Sequence, residues 1–179
     1  MHIQKFIDYL LLEKKYSQNT VVAYKNDIEA FQLFLTQEFS DFNISKANYS
    51  QIRTWVVQLV DSKISNRTIN RKVSSLNSYY KFLLKTTSIE FNPLVKHKAL
   101  KVSKKIQIPF SETEVNSVLN SIDTNTFEGL RDKLIVELFY STGIRRIELV
   151  QLQLKDIDLS QGLIKVLGKR NKERFIPLL

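Results

Sequence analysis

The stretch that decides the fold reads Tyr140-Ser141-Thr142-Gly143-Ile144-Arg145-Arg146-Ile147-Glu148-Leu149-Val150-Gln151-Leu152. After Lys155-Asp156-Ile157-Asp158 it continues as Leu163-Ile164-Lys165-Val166-Leu167-Gly168-Lys169-Arg170-Asn171-Lys172-Glu173-Arg174-Phe175-Ile176-Pro177. An apolar helix (Leu134 to Tyr140) stops at Ser141-Thr142-Gly143, because glycine takes a positive φ without steric cost. A short helix begins just behind it. Arg145 stands at its start, where backbone N–H groups point outward and an anion is favoured. An arginine fork in that place suits a phosphate. Leu163, Lys165 and Leu167 alternate with Ile164 and Val166, which predicts a strand. A basic turn through Gly168, Lys169, Arg170, Asn171 and Lys172 leads into a second strand, Arg174 to Pro177. The hairpin carries Lys169 to a loop tip, beside whatever Arg145 holds.

Upstream, the pattern is helical. Ile3, Phe6, Ile7, Leu10 and Leu11 form a stripe from Ile3 to Lys14. Ser17-Gln18-Asn19-Thr20 offers N-caps for a longer helix with Val21, Tyr24, Ile28, Phe31, Phe34 and Leu35 inward and Asn19, Thr20, Lys25 and Asn26 outward. A polar turn from Ser40 to Asn48 leads to a third helix, Tyr49 to Ser62, with Ile52, Trp55, Val56, Leu59 and Val60 inward. A fourth runs from Ser65-Asn66 to about Lys85 on the stripe Ile69, Val73, Leu76, Tyr80 and Leu83. Its opposite face collects Arg67, Asn70, Arg71, Ser74, Ser78, Lys81 and Lys85 without a carboxylate. A solvated face usually mixes both charge signs. A face of cations and short hydrogen-bonding groups suits a DNA groove, with Lys/Arg for phosphates and Asn, Ser and Arg for base edges.

Asn92-Pro93 opens a connector, since the residue before proline is pushed away from helix. Lys96, Lys98, Lys101, Lys104 and Lys105 follow without an acid. They read as a tether along the DNA backbone in preference to a solvated basic linker; His97 among them reads as exposed. Beyond Pro109, Ser111 caps a helix with Glu112 and Glu114 in its first turn and Val115, Val118, Leu119 and Ile122 buried. The helix from Phe127 to Tyr140 is apolar at Leu130, Leu134, Ile135, Leu138 and Phe139 and is expected at the centre of a second domain. Tyr80 and Tyr140 read as core residues.

The 179 residues carry 27 Lys+Arg against 18 Asp+Glu, a formal net charge of +9, and 43% are hydrophobic. That is enough for one or two cores and favours an anionic partner, nucleic acid first. Cysteine is absent and the two histidines, His2 and His97, are far apart in sequence. Disulfides, thiol chemistry, zinc ribbons and a histidine triad are thereby excluded, and no metal or other cofactor is expected. Charges at Lys5, Asp8 and Glu13 interrupt the N-terminus as a signal peptide, and no apolar run is long enough to span a bilayer. The expectation is a cytoplasmic protein without membrane contact.

Thr142-Gly143-Ile144-Arg145 with Glu148-Leu149, then Gly168-Lys169 and Lys172-Glu173-Arg174, resembles the first half of the catalytic domain of a tyrosine recombinase. Ser17-Gln18-Asn19-Thr20, Ala23-Tyr24 and Asp27 resemble the core-binding domain of the same family, in its Xer, chromosome-dimer-resolving form. So do Thr68-Ile69-Asn70-Arg71, Leu76 and Tyr79-Tyr80-Lys81-Phe82-Leu83. The resemblance implies a mainly α fold: a SAM-like four-helix DNA-binding domain over 1–88, a basic linker over 89–110, and the first part of an α+β catalytic domain with a short sheet over 111–179. By resemblance Arg145 is the first catalytic arginine, on the non-bridging oxygens of the scissile phosphate, and Lys169 is the general acid for the departing 5′-oxygen. Arg145 also reads as a partner of Glu148 three residues on; a carboxylate orienting the guanidinium reconciles the two readings. The implied DNA-binding set is Asn19, Thr20, Lys25, Arg67, Asn70, Arg71, Ser74, Lys101, Lys104, Lys172 and Arg174, with Lys172 and Arg174 read as phosphate contacts or hairpin charges.

Two places depart from the family pattern: Arg146 and Ile147 stand where a small aliphatic residue and Ser are common, and Arg170 stands where glycine is common. The family's His-x-x-Arg motif and nucleophilic tyrosine belong beyond Leu179. On this reading the 179-residue chain binds double-stranded DNA without cleaving it, while a full-length parent exchanges strands through a phosphotyrosine, as a homo- or hetero-tetramer. A non-catalytic DNA-binding module and a mobile-element integrase are the alternatives. The reading frame after Leu179 separates the first two.

Overall fold

The computed structural model describes residues 2–40, 43–104, 106–168 and 172–178. Lys105, Lys169, Arg170 and Asn171 lie outside the described residues. The chain forms two compact units, Met1–Lys105 and Ile106–Leu179.

The first unit is helical: α1 (His2–Asp8), a π-helical turn (Tyr9–Glu13), α2 (Gln18–Phe39), α3 (Tyr49–Asp61) and α4 (Asn66–Lys85). The helix starts expected from sequence are present. The hydroxyl oxygens of Ser17 and Ser65 accept the N–H groups of Thr20 and Thr68, and Asn48 and Gln51 cap each other reciprocally at 3.0 and 2.9 Å. Each such cap satisfies donors that the first helical turn leaves open and contributes about 1 kcal/mol. The four-and-three spacing of α4 buries Ile69, Val73, Leu76, Tyr80 and Leu83 as expected, and Tyr79 with them. Phe6 meets the Tyr79 ring edge-on at 5.3 Å, Phe31 lies 5.0 Å from Trp55, and the Tyr80 hydroxyl donates to the Ile44 carbonyl at 2.9 Å. Val60 departs from the expectation: it lies on the exposed side of α3.

The connector also departs. Asn92 and Leu94 are buried, and Leu94 belongs to the core of the first unit, with Ile89 and Leu100 packed against it. The Asn92 amide donates to Asn77 Oδ1 at 2.8 Å. The Asn70 amide donates to the Leu100 carbonyl and its oxygen accepts the Leu100 N–H, both at 2.9 Å. Asn66 adds a bond to the Lys101 carbonyl at 2.8 Å. Residues 92–101 are therefore strapped onto α4, and the first unit extends past the expected boundary at residue 88. His97 is half-buried, its ring edge-on to Tyr49 at 6.2 Å, and burial lowers its pKa.

The second unit comprises α5 (Glu112–Ser121), α6 (Phe127–Thr142), α7 (Arg146–Gln151) and an antiparallel sheet in the order β1 (Ile157–Asp158), β2 (Leu163–Leu167), β3 (Glu173–Pro177). β2 and β3 pair in the register Leu163↔Pro177 to Leu167↔Glu173, while β1 was not foreseen. Ser111 and Glu114 form a capping box on α5. The buried core is small, Ile144, Ile164, Val166 and Ile176. The expectation that α6 is central fails among the described residues: none of its side chains is buried, and Leu130, Leu134, Phe139 and Tyr140 are exposed, as is Val118 on α5. Tyr140 is thus not a core residue.

Candidate nucleic-acid interface

Gly143 ends α6 at φ 59°, its N–H bonded to the Phe139 carbonyl at 3.1 Å. This left-handed residue is where glycine costs least, and the expected turn is made there. The chain then swings through buried Ile144 and restarts as α7, with Arg145 at the boundary. The Glu148 carboxylate folds back onto that start: Oε2 accepts the Arg145 backbone N–H at 2.9 Å and Oε1 accepts Arg145 Nη1 at 2.8 Å. From β3, Arg174 donates through Nη1 to Oε1 and through Nη2 to Oε2, the latter at 2.8 Å. Glu148 thus receives four charge-assisted or backbone bonds, and the Arg174 pair is the bidentate kind that fixes geometry as well as charge. The Arg174 bonds, ahead of those from Arg145, hold the Glu148 carboxyl down at a pKa of about 2.

The exposure of the three side chains differs sharply: 1% for Glu148, 36% for Arg174 and 63% for Arg145. The buried carboxylate is consumed internally, Arg174 serves it from the sheet, and Arg145 is the arm that reaches solvent. The anion expected at the start of α7 is in part the protein's own Glu148. Arg174 is therefore tied to Glu148 through both Nη atoms. Gly168 packs close to this pair. A Cβ added there meets the Lys172 carbonyl at 3.2 Å, Arg174 Nη1 at 3.4 Å and Glu148 Oε1 at 3.6 Å, so it fits only if the carbonyl gives way slightly. Lys172 is exposed, and Lys169, the expected general acid, lies outside the described residues.

In the first unit, Asn19, Arg67, Ser74, Lys101 and Lys104 are exposed and Thr20 is half-buried; Lys25 faces Glu29 across one helical turn at 3.8 Å. Asn70 is engaged by the Leu100 backbone through one amide N–H and its side-chain oxygen. Arg71 is exposed but paired. Its Nη1 donates to Asp27 of α2, which also receives Lys72 Nζ at 3.3 Å and Ser75 Oγ at 2.8 Å. Asp27 is 2% exposed. Sequence reasoning left Asp27, Lys72 and Ser75 without a role. The available signal was a carboxylate at position 27 beside Ile28 on the inward stripe of α2, which requires a cation from a neighbouring helix. Among the described residues no group of His, Asp and Glu side chains stands together as a metal site requires. No helix there is long and apolar enough to cross a membrane.

Residues 3–87 match the family described as phage integrase, N-terminal SAM-like domain, and residues 109–179 match the phage integrase family. The chain belongs to the phage integrase family of tyrosine recombinases. Within this family it is similar to the protein named tyrosine recombinase XerC of Staphylococcus haemolyticus, 37% identical over 172 residues, covering 96% of this chain and 57% of the relative. It is also similar to that of Oceanobacillus iheyensis, 37% identical over 177 residues, covering 99% and 58% respectively. The chain thus spans less than two thirds of these relatives' length. Its fold is that of a lambda integrase dimer bound to a COC′ core site, with TM-score 0.77, 19% identity, and 98% of this chain and 47% of that one covered. It is also that of the Tn1549 transposon integrase in complex with circular intermediate DNA, with TM-score 0.71, 19% identity, and 99% and 60% covered.

Proposed function

We propose that this phage integrase family chain is the DNA-binding and phosphate-gripping portion of a site-specific recombinase of the XerC kind. The observation that carries the reading is the asymmetry at Glu148: a carboxylate shut from water holds a guanidinium, Arg145, that is mostly in water. An arginine needed only to neutralise Glu148 is redundant there, because Arg174 already does so bidentately. What Arg145 gains is a fixed direction, with the rest of its planar fork left for an external anion.

In the whole protein that anion is the scissile phosphodiester. Attack by a tyrosine hydroxyl gathers negative charge on the non-bridging oxygens, and an arginine already in place stabilises that charge without reorganising. Lys169, carried by the chain that leaves Gly168 beside Glu148, is proposed to protonate the departing 5′-oxygen. The partners on this reading are double-stranded DNA and further recombinase subunits, in a tetramer on paired sites, in the cytoplasm. Arg67, Arg71, Ser74, Lys101 and Lys104 line the proposed DNA face of the first unit. The similarity to curated recombinases along almost the whole chain supports this assignment.

The test is binding of the 179-residue chain to a fluorescent duplex across a salt series. Affinity is expected to fall by at least about 10²-fold between roughly 50 and 200 mM salt, since each phosphate contact releases counterions. Salt-independent binding, or none, overturns the reading. In strand cleavage by the whole protein, Arg145→Ala is expected to cost about 10²–10³ in rate.

A further inference from the structure

Asp27 is the one other carboxylate besides Glu148 that is almost completely buried among the described residues, and it is built the same way. Its partners come from one face of α4: Arg71, Lys72 and, one turn further on, Ser75. Two cations serve one anion. Lys72 is the better enclosed, its side chain 20% exposed against 52% for Arg71, so Lys72 alone meets the need to neutralise a buried charge. Arg71 spends a single N–H on Asp27, and the described residues give its guanidinium no other hydrogen bond. The remaining edge of the fork points away from its anchor, on the face that also carries Arg67 one turn before and Ser74 one turn after.

We infer that Asp27 is a positioning residue that holds Arg71 as a fixed contact for a backbone phosphate of duplex DNA. The inference rests on the DNA-binding reading above and deepens it. A lone surface arginine gives up its rotamer freedom when it grips a phosphate. Here that freedom is already given up in the folded protein, through a bond to a carboxylate that α2 holds in place. Asp27 has a second, opposite effect: its negative charge weakens the pull of the cluster on any anion. The two effects separate in a substitution that removes the charge and keeps the shape.

The experiment measures duplex affinity and its salt dependence for the wild-type chain, Asp27→Asn, Arg71→Ala, Arg71→Lys and the double variant Asp27→Asn/Arg71→Ala. Arg71→Ala is expected to weaken binding roughly tenfold and to reduce the salt slope by about one. Asp27→Asn is expected to weaken binding several-fold although it makes the protein more positive, and to have no effect once Arg71 is gone. Arg71→Lys, which keeps the charge and loses the fork, should fall close to Arg71→Ala. It lies on the exposed face, so it reports even if Asp27→Asn fails to fold by circular dichroism.

An Asp27→Asn protein that folds and binds DNA as tightly as wild type, or more tightly, overturns the inference, because Asp27 then only masks charge. Arg71→Lys binding like wild type overturns it as well. In both cases salt-dependent binding by the wild-type chain leaves the DNA-binding reading standing. A wild-type chain with no salt-dependent binding removes that reading, and this inference with it.

Discussion

Asp27 and Glu148 are equally shut from water and each holds an outward-reaching arginine, yet their surroundings differ. Asp27 lies beside Ile28 in a unit whose core includes Phe6, Phe31, Trp55, Tyr79, Tyr80 and Leu83. Glu148 has a core of four buried aliphatic side chains for company, Ile144, Ile164, Val166 and Ile176. In the first unit apolar burial, at about 2 kcal/mol for each large side chain, holds the helices together whether or not the ion pair forms. In the second, the two Arg174 bonds to Glu148 tie α7 to β3, and the two Arg145 bonds fix the start of α7. One arrangement of charges is therefore an accessory in one region and part of the frame in the other.

The sharpest way to break that contrast is Glu148→Gln. An amide leaves two guanidinium groups without their counter-charge, and removing one partner of a buried pair costs about 3 kcal/mol. Most of the slow amide exchange in the second unit should be lost while the first unit keeps its own. Asp27→Asn strands Arg71 and Lys72 in the same way and should cost about as much, but from a unit with far more apolar burial, so its slow exchange should persist. Equal sensitivity of the two units in hydrogen exchange would show that Glu148 is no more structural than Asp27.

Acid probes the same tie without a substitution. The Glu148 carboxyl lies near 2 in the folded chain against an ordinary value of 4.5. A group whose folded pKa is depressed stabilises above its unfolded value, and that contribution disappears as pH falls through the folded one. The second unit should therefore lose stability between about pH 4.5 and pH 2, and Glu148→Gln should flatten that part of its pH profile. An unaltered profile in the variant means that other carboxylates carry the acid response. A smaller effect is expected in the first unit from Tyr80→Phe, which removes the hydroxyl bonded to the Ile44 carbonyl. Leaving that buried acceptor unpaired should cost about 1 kcal/mol in denaturant melts.

How far sequence carried the reading follows the same division. In the first unit, stripe spacing and the cap read at Ser17-Gln18-Asn19-Thr20 placed the helices within a residue or two, because burial is dense enough for periodicity to report it. In the second, the Gly143 turn and the β2–β3 alternation were legible, since both are local. The burial of α6 was misread: Leu130 and Leu134 have helical spacing, but spacing does not say whether a partner surface is present. Arg145 with Glu148 was legible from the three-residue offset. The bidentate role of Arg174 was not, because its partner is 26 residues away and nothing local signals the pairing. The tie of Asn70 to the Leu100 backbone was not legible for a similar reason: the chain that returns as Leu100 lies 30 residues away.

The smallest expected effect belongs to that asparagine. Asn70→Ala removes two bonds to the Leu100 backbone, both partly exposed, so a global stability change of no more than about 1 kcal/mol is expected. Locally the consequence should be clear. The Leu100 N–H, which now donates to Asn70 Oδ1, should exchange much faster, while the buried helix α4 is unaffected. The strap also fixes where Lys98 and Lys101 leave the surface of α4. If that placement contributes to holding DNA, Asn70→Ala should lower duplex affinity a few-fold without changing the number of charges, and so with little change in salt slope. If the lysines act as a loose tether, affinity should stay put while the Leu100 amide opens. The two outcomes differ in whether a neutral side chain that touches no phosphate alters binding. They therefore decide whether residues 92–101 are part of the first unit's rigid face or merely attached to it.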